Sequence, residues 1–242
     1  GEPPDSGAVY YMPHRPVVKE SNLTTKVRPV YDASAKGFNG VSLNDCMEAG
    51  PSLIPNLPGI LLRFRRWKVA LTADVTKAFL QIQIRPQDRD VHRFLWNDGG
   101  TVRVMRFLRL PFGNKSSPFL MNATVKYHLS QCAPSRVVEE LSENLYVDNF
   151  LSGCDDDSVG CDLLQEANRV MQQAGMTLSQ WASNSGQVGV VLNRELHDRS
   201  AGEESLKVLG LRWQAADDFL HYDGVAVPED LCITKRVVLS FI

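Results

Sequence analysis

The sequence predicts an α+β domain, and three features carry that prediction. Lys68-Val69-Ala70-Leu71-Thr72-Ala73-Asp74 alternates in hydropathy and ends on an acid, as a strand with Asp74 at its C-terminal end would. Arg93 to Trp96 and Thr101 to Phe107 flank Asn97-Asp98-Gly99-Gly100, a strong hairpin signal. Two helices follow. Ser117 caps the first, with Pro118 at its first position and Phe119, Ala123 and Tyr127 spaced four apart as far as about Ser130. Asp155-Asp156-Asp157-Ser158 opens the second, whose Val159, Leu163, Ala167, Val170, Met171 and Ala174 share one face until Gly175 stops it.

At 242 residues the chain is long enough for one large domain or two small ones, and 43% hydrophobic with 22% charged residues is ordinary for a soluble protein. No run of about 18 apolar residues is present and no charged-then-apolar leader opens the chain, so neither a membrane span nor a secretory signal is expected. The first residue is Gly1, and the last lies inside the apolar run Val237-Val238-Leu239-Ser240-Phe241-Ile242, which reads as a piece of something longer. Five scattered cysteines form neither a Cys-x-x-Cys pair nor a zinc spacing with the histidines, the usage of reduced thiols in an intracellular protein. A net charge of −2 advertises no nucleic-acid partner, so any such surface must be local. The best candidate is Arg63-Phe64-Arg65-Arg66-Trp67-Lys68, with a solvated helix end as the plain alternative.

Taken in order, residues 1–16 are rich in Pro and Gly and read as extended. Val17-Val18-Lys19 is a short strand, Ser21 to Thr25 a polar turn, and Lys26 to Asp32 a half-exposed strand presenting Lys26 and Arg28 on one side. Ala35 to Pro58 is irregular with short helical turns, and Pro58 to Arg66 is a candidate helix. Leu110 to Lys115 is a loop. Near the end, Val208 to Trp213 and Phe219 to Tyr222 are strand-like and joined through Gln214 to Asp218. The triple Asp at 155–157 offers a metal cluster on paper, but acids favoured at a helix N-terminus explain it more cheaply. Asn144-Leu145-Tyr146-Val147-Asp148-Asn149-Phe150-Leu151-Ser152-Gly153 places Asp-Asn between two β-prone runs, a tight turn that carries a carboxylate clear of the sheet.

A strand ending in Asp74, a Gly-containing loop before a Pro-started helix, and a hairpin carrying Asp148 resemble, in that order, the palm of a reverse transcriptase. The nearest pattern is the polymerase domain of the BEL/Pao group of long-terminal-repeat retrotransposons. The matching segments are Tyr11-Met12-Pro13-His14, Leu23 to Lys36, Asp74-Val75-Thr76-Lys77-Ala78-Phe79, Leu110-Pro111-Phe112-Gly113 with Ser116-Ser117-Pro118-Phe119, Tyr146-Val147-Asp148-Asn149, Trp181-Ala182-Ser183-Asn184 and Leu209 to Trp213. The resemblance covers about Tyr10 to Ile242.

The resemblance implies a polymerase right-hand fold of fingers and palm, its antiparallel sheet backed by helices and its thumb absent or only begun at Thr234-Lys235-Arg236. It divides the chain into an extended segment (1–16), fingers (17–67 and 86–112), palm (68–85 and 113–225, including a primer-grip-like hairpin) and the start of a thumb (226–242). The implied activity is RNA-directed DNA synthesis. Asp74 and Asp148 would bridge two Mg²⁺ or Mn²⁺ ions, the Val75 carbonyl would add to their shell, and Asn149 would stand beside them. Such ions clamp the attacking and leaving oxygens of an in-line displacement, and carboxylates suit them as hard oxygen ligands. Lys26 and Arg28 would meet the triphosphate. Phe79 would lie under the sugar and exclude a 2′-hydroxyl, while Phe112, Gly113 and Lys115 would line base and sugar. Leu209, Gly210, Leu211, Arg212 and Trp213 would grip the primer end. Implied partners are a primed RNA or DNA template, deoxynucleoside triphosphates and the protease, ribonuclease H and integrase of a polyprotein, in a cytoplasmic virus-like particle.

Two positions depart from the family pattern. Asn149 stands where a second Asp is usual, and Ser179-Gln180 where relatives place a basic pair, including a lysine suited to protonating pyrophosphate. Both keep open a second reading, a catalytically impaired or domesticated relic that retains the fold and binds nucleic acid. A third, an RNA-directed RNA polymerase, is opposed by Phe79.

Overall fold

The computed structural model describes residues 7–18, 27–192 and 206–222. Lys19, the turn expected at Ser21 to Thr25, Lys26 and the expected thumb start at 226–242 lie outside the described residues.

Two antiparallel ribbons and a short meander surround a four-stranded sheet. The first ribbon pairs β1 (His14–Val18) with β2 (Val27–Tyr31), His14 opposite Tyr31 and Val18 opposite Val27. The strand β3 (Val69–Val75) follows the helix α1 (Leu57–Phe64), whose first turn is capped by Asn56 accepting the Gly59 N–H. The second ribbon, β4 (Arg93–Asp98) and β5 (Thr101–Arg106), is the expected hairpin: Gly99 and Gly100 turn it at φ of 60° and 98°. Then come α2 (Ser117–Gln131), α3 (Arg136–Asn144), the short β6 (Leu145–Tyr146), β7 (Asn149–Cys154), α4 (Asp157–Gln173), β8 (Leu178–Ser183) and α5 (Gly186–Val191). The meander is β9 (Leu206–Val208), β10 (Leu211–Gln214) and β11 (Phe219–His221).

The central sheet has the order β6-β7-β3-β8, antiparallel throughout. Its middle strand β3 is apolar on both sides because both sides are covered. Val69, Leu71, Ala73 and Val75 face a core built with Met121, Val125 and Leu129 of α2, Leu141 of α3 and Leu163, Leu164, Ala167, Val170 and Met171 of α4. The other face, through Ala70, Leu151 and Ala182, packs on Ile60 and Phe64 of α1 and on Val208 and Trp213 of the meander. Strand alternation thus aims Thr72 and Asp74 at the meander side, and Asp74 lies just beyond the end of its apolar cover.

Four local expectations change. Ser117 is not the cap of α2: Ser116 stands before the helix, Pro118 takes the second position, and Ser117 Oγ donates to the Pro111 carbonyl at 2.8 Å. α3 lies in a stretch that carried no sequence assignment; Ser135 caps it by accepting the Val138 N–H, and Val137 and Leu141 bury one narrow stripe. The run Val208 to Trp213 is two strands, because Leu209 and Gly210 adopt φ of 50° and 86° and turn the chain between β9 and β10. The turn at 145–150 is centred on Val147-Asp148 rather than Asp148-Asn149, with Tyr146 paired to Asn149. The triple Asp resolves as helix capping, since Asp156 accepts the Val159 N–H at 3.0 Å, and no cluster of three or more metal-ligating side chains occurs among the described residues.

Trp213 joins the meander to the sheet. It is fully buried, meets Phe64 edge-on at 5.2 Å and donates Nε1–H to Asp218 Oδ1 at 2.9 Å. Trp213→Ala should lower unfolding free energy by about 3–5 kcal/mol, read from urea denaturation.

Candidate active site

Asp74 and Asp148, far apart in sequence, meet because β3 and β7 pair in a single register. Asp74 stands opposite Asn149, and the Val75 N–H donates to the Asp148 carbonyl at 2.7 Å. Both carboxylates sit at the same end of the same sheet, partly covered. Val147, just before Asp148, has φ of 55°. A β-branched residue in that left-handed region stores roughly 1–3 kcal/mol of strain, which the pairing on either side of the turn holds in place.

Burial first, and the neighbouring Asp148 charge second, push the Asp74 carboxyl up from 3.8 to about 6. Two acids at a half-dry sheet end repel each other, and that repulsion is the electrostatic signature of a place for cations. Asn149 bears on the pair directly: its Nδ2 donates to Asp148 Oδ1 at 2.9 Å. Where a second carboxylate would add charge, this amide holds the first one still. The Val75 side chain is buried in the helical core, so only its main chain faces the site.

A narrow cleft opens beside the pair, lined by Thr72, Asp74, Asn149, Gln180 and Lys207. Gln180 reaches it from an irregularity in β8, where the register with β3 shifts between Thr72 and Asp74 and Gln180 takes φ of 52°. The sequence reading missed Lys207. Its only signal was alternation, a lysine between Leu206 and Val208 on a short strand whose neighbours turn inward.

The residues expected around a nucleotide fall into a second group. The Phe79 ring stands edge-on to Phe112 at 4.8 Å; Phe79 is partly buried and Phe112 exposed. Gly113 has φ of 92°, and a Cβ there would sit 2.9 Å from the Tyr31 carbonyl oxygen, so both conformation and space demand glycine. Arg28 and Lys115 are exposed, on β2 and on the loop before α2 respectively. Of the residues expected to grip a primer, Trp213 is buried beneath the meander, Leu209 and Gly210 form its turn, and Leu211 and Arg212 are partly exposed on β10.

The basic run at 63–68 is largely committed within the fold. Arg63 donates to Asn144 Oδ1 and the Glu143 carbonyl at 2.7 and 2.8 Å, Arg65 pairs with Asp218, and the Arg66 guanidinium lies 4.1 Å from the Trp67 ring centroid.

Raised above its unfolded value, Asp74 binds its proton more tightly in the folded chain, so folding stability from this group is present at low pH and is lost as pH rises from 3.8 toward about 6. In chelator, Asp74→Asn should therefore be more stable than the parent above about pH 6, and the advantage should vanish below about pH 4. Urea unfolding of the two proteins across that range measures it.

Residues 18–211 match the family described as reverse transcriptase (RNA-dependent DNA polymerase). Among solved structures, the foamy viral protease–reverse transcriptase in complex with double-stranded DNA aligns over 96% of this chain and 41% of its own, at TM-score 0.61 and 19% identity. The same viral protein in complex with an RNA/DNA hybrid aligns over 89% and 24%, at TM-score 0.58 and 19% identity. This chain thus spans less than half of those structures, and the likeness is one of fold: an antiparallel sheet backed by helices, in the fingers-and-palm arrangement of a polymerase right hand. No curated protein matches. The match over most of its length places this chain in the reverse transcriptase (RNA-dependent DNA polymerase) family.

Proposed function

We propose that the chain is the fingers-and-palm part of an RNA-directed DNA polymerase, encoded in a BEL/Pao-type retrotransposon polyprotein. One observation carries the reading: Asp74 and Asp148 are brought side by side, through the Asp74–Asn149 register and the Val75–Asp148 main-chain bond, with the Asp74 carboxyl pushed up to about 6. The donor set fits Mg²⁺ or Mn²⁺, since it offers the hard carboxylate oxygens of two acids close enough that the Asp148 charge helps raise the Asp74 carboxyl. Asp74, Asp148 and the Val75 carbonyl would hold two such ions. Bound there, the ions would supply charge stabilisation to the attacking 3′-hydroxyl and departing pyrophosphate.

The chain's own residues do the rest. Asn149 orients the Asp148 carboxylate. Phe79, braced by the edge of Phe112, presents a ring to the sugar and leaves no room for a 2′-hydroxyl. Gly113 lets the main chain approach base and sugar, while Arg28 and Lys115, with Lys26 preceding β2, neutralise the triphosphate. Leu209 to Trp213 support the primer end. In this reading residues 17–67 and 86–112 are fingers, 68–85 and 113–225 palm, 1–16 an extended lead and 226–242 the beginning of a thumb. The partners are a primed template, deoxynucleotides and the polyprotein's protease, ribonuclease H and integrase, within a cytoplasmic particle. No described helix is long and apolar enough to cross a membrane.

A second reading, a relic that binds nucleic acid without turnover, is favoured by Asn149, one anion fewer at the site, and by Gln180, which cannot donate a proton as an acid would. General acid catalysis is worth roughly 10²–10⁴-fold. The readings part on metal dependence: a relic binds primer–template equally with and without Mg²⁺.

Primer extension on an RNA template with Mg²⁺ or Mn²⁺ tests the proposal. Asp148→Asn should reduce it by at least about 10²-fold, while Asn149→Asp should preserve or raise it. Extension that survives loss of Asp148 removes the metal-ligand assignment. Phe79→Ala should raise ribonucleotide relative to deoxynucleotide incorporation by about 10-fold or more, measured in single-nucleotide extension.

A further inference from the structure

Asn44 belongs to a 3₁₀ turn, Asn44–Cys46, one of the short helical turns expected in this irregular stretch. The turn is closed on itself. Ser42 Oγ accepts the Asp45 N–H at 3.2 Å while Asp45 Oδ2 accepts the Ser42 N–H at 3.0 Å, the reciprocal arrangement of a capping box. The Asn44 main chain is anchored too, its N–H donating to the Ala33 carbonyl at 2.9 Å. With its backbone fixed, Asn44 extends its amide to the loop ahead of α2. Oδ1 accepts the Lys115 N–H at 2.8 Å, and Nδ2 donates to the Gly113 carbonyl at 3.0 Å and to Ser34 Oγ at 2.8 Å.

A primary amide is the side chain this pattern requires. It must offer an acceptor and two donors from one planar group, bonding an N–H and a C=O two residues apart. Aspartate lacks the donors, serine the reach. The rest of the loop is held as well: Ser117 Oγ donates to the Pro111 carbonyl at 2.8 Å, Asn114 Nδ2 lies 2.7 Å from His92 Nε2, and Gly113 rests against the Tyr31 carbonyl. Those contacts fix both ends of the loop and one side of Gly113. Among the described residues, Asn44 alone is seen to grip the main chain on both sides of Asn114, at the exposed Gly113 and Lys115.

We infer that Asn44 is a positioning residue for the nucleotide site: by gripping the Gly113 carbonyl and the Lys115 N–H it sets the Phe112–Lys115 edge before a nucleotide arrives. The inference rests on the proposed role of Phe112, Gly113 and Lys115. Its physical content is preorganisation. Ordering a loop when the ligand binds consumes binding energy, and a loop ordered beforehand spares it. Loss of Asn44 should therefore appear in nucleotide affinity, with the chemical step and the duplex grip little changed.

The experiment compares Asn44→Ala, Asn44→Asp and Ser34→Ala with the parent, each first shown to be folded by circular dichroism and thermal melting. Both Asn44 variants should raise KM for dNTP about 10-fold, the size of losing one to two ordinary hydrogen bonds, with kcat and primer–template Kd changed less than about threefold. Ser34→Ala, which keeps both main-chain bonds, should shift KM less than about twofold. Hydrogen exchange at the Lys115 amide should accelerate in Asn44→Ala and stay slow in Asn44→Asp, which keeps the acceptor. Unchanged KM in the Asn44 variants, or KM, kcat and duplex affinity failing together, overturns the inference. If the parent extends primers and Asp148→Asn abolishes this, such a result leaves the polymerase reading intact and sinks the role of Asn44 alone. If the parent extends nothing, calorimetry with dATP and Ca²⁺ decides: about 10-fold weaker binding in Asn44→Ala supports the inference, whereas equal binding or none in the parent overturns it.

Discussion

The pairing of β3 with β7 is the constraint on which the rest depends. It sets Asp74 opposite Asn149 and leaves the Val75 N–H for the Asp148 carbonyl, so the two acids cannot separate without breaking the sheet. Their repulsion is worked against the fold by the cover on both faces of β3, helices on one side and α1 with the meander on the other. A strand buried on both sides has no slack in which to relieve a local misfit. The electrostatic cost of the site is thereby met by apolar packing that has no direct part in its chemistry.

The same logic explains where strain collects. Among the described residues, Lys77, Val147, Gln180, Leu209 and Asp218 are non-glycine residues with positive φ. Val147 precedes the hairpin acid, Gln180 lines the cleft, Lys77 follows β3 closely and Leu209 turns the meander just after the cleft-lining Val208. Positions of this kind survive where their surroundings over-determine them. At Val147 and Leu209 the surroundings are the strand pairs on either side of the turn, and at Gln180 the register shift between β8 and β3. Gln180 and Lys207 thereby line the cleft beside Asp74.

Much of this was legible in the sequence. Alternation that ends in an acid located β3 and Asp74, Asn97 to Gly100 marked the second hairpin, and the spacing from Val159 to Ala174 marked α4. What escaped had physical reasons. α3 is short and mostly polar, with a stripe of few apolar residues, so periodicity had little to register. The break at Leu209-Gly210 hides in a run of strand formers because Leu209 takes a conformation its side chain disfavours. Asn44 announces nothing locally and Lys207 no more than alternation: each sits among residues distant in sequence, and the folded chain brings them there. The Arg63 to Lys68 run shows the converse, a conspicuous pattern whose charges are mostly taken up by Asn144, Asp218 and Trp67.

The contact between Gly113 and Tyr31 has a mechanical side. A side chain in the way can rotate; a main-chain carbonyl has far less freedom, and a Cβ at Gly113 would come to 2.9 Å of that oxygen. Tyr31 ends β2, the strand that carries Arg28, and Gly113 sits in the loop that carries Phe112 and Lys115. The ribbon and the loop therefore approach backbone to backbone at this point, and any side chain at Gly113 would wedge them apart, carrying the Arg28 strand away from the Lys115 loop.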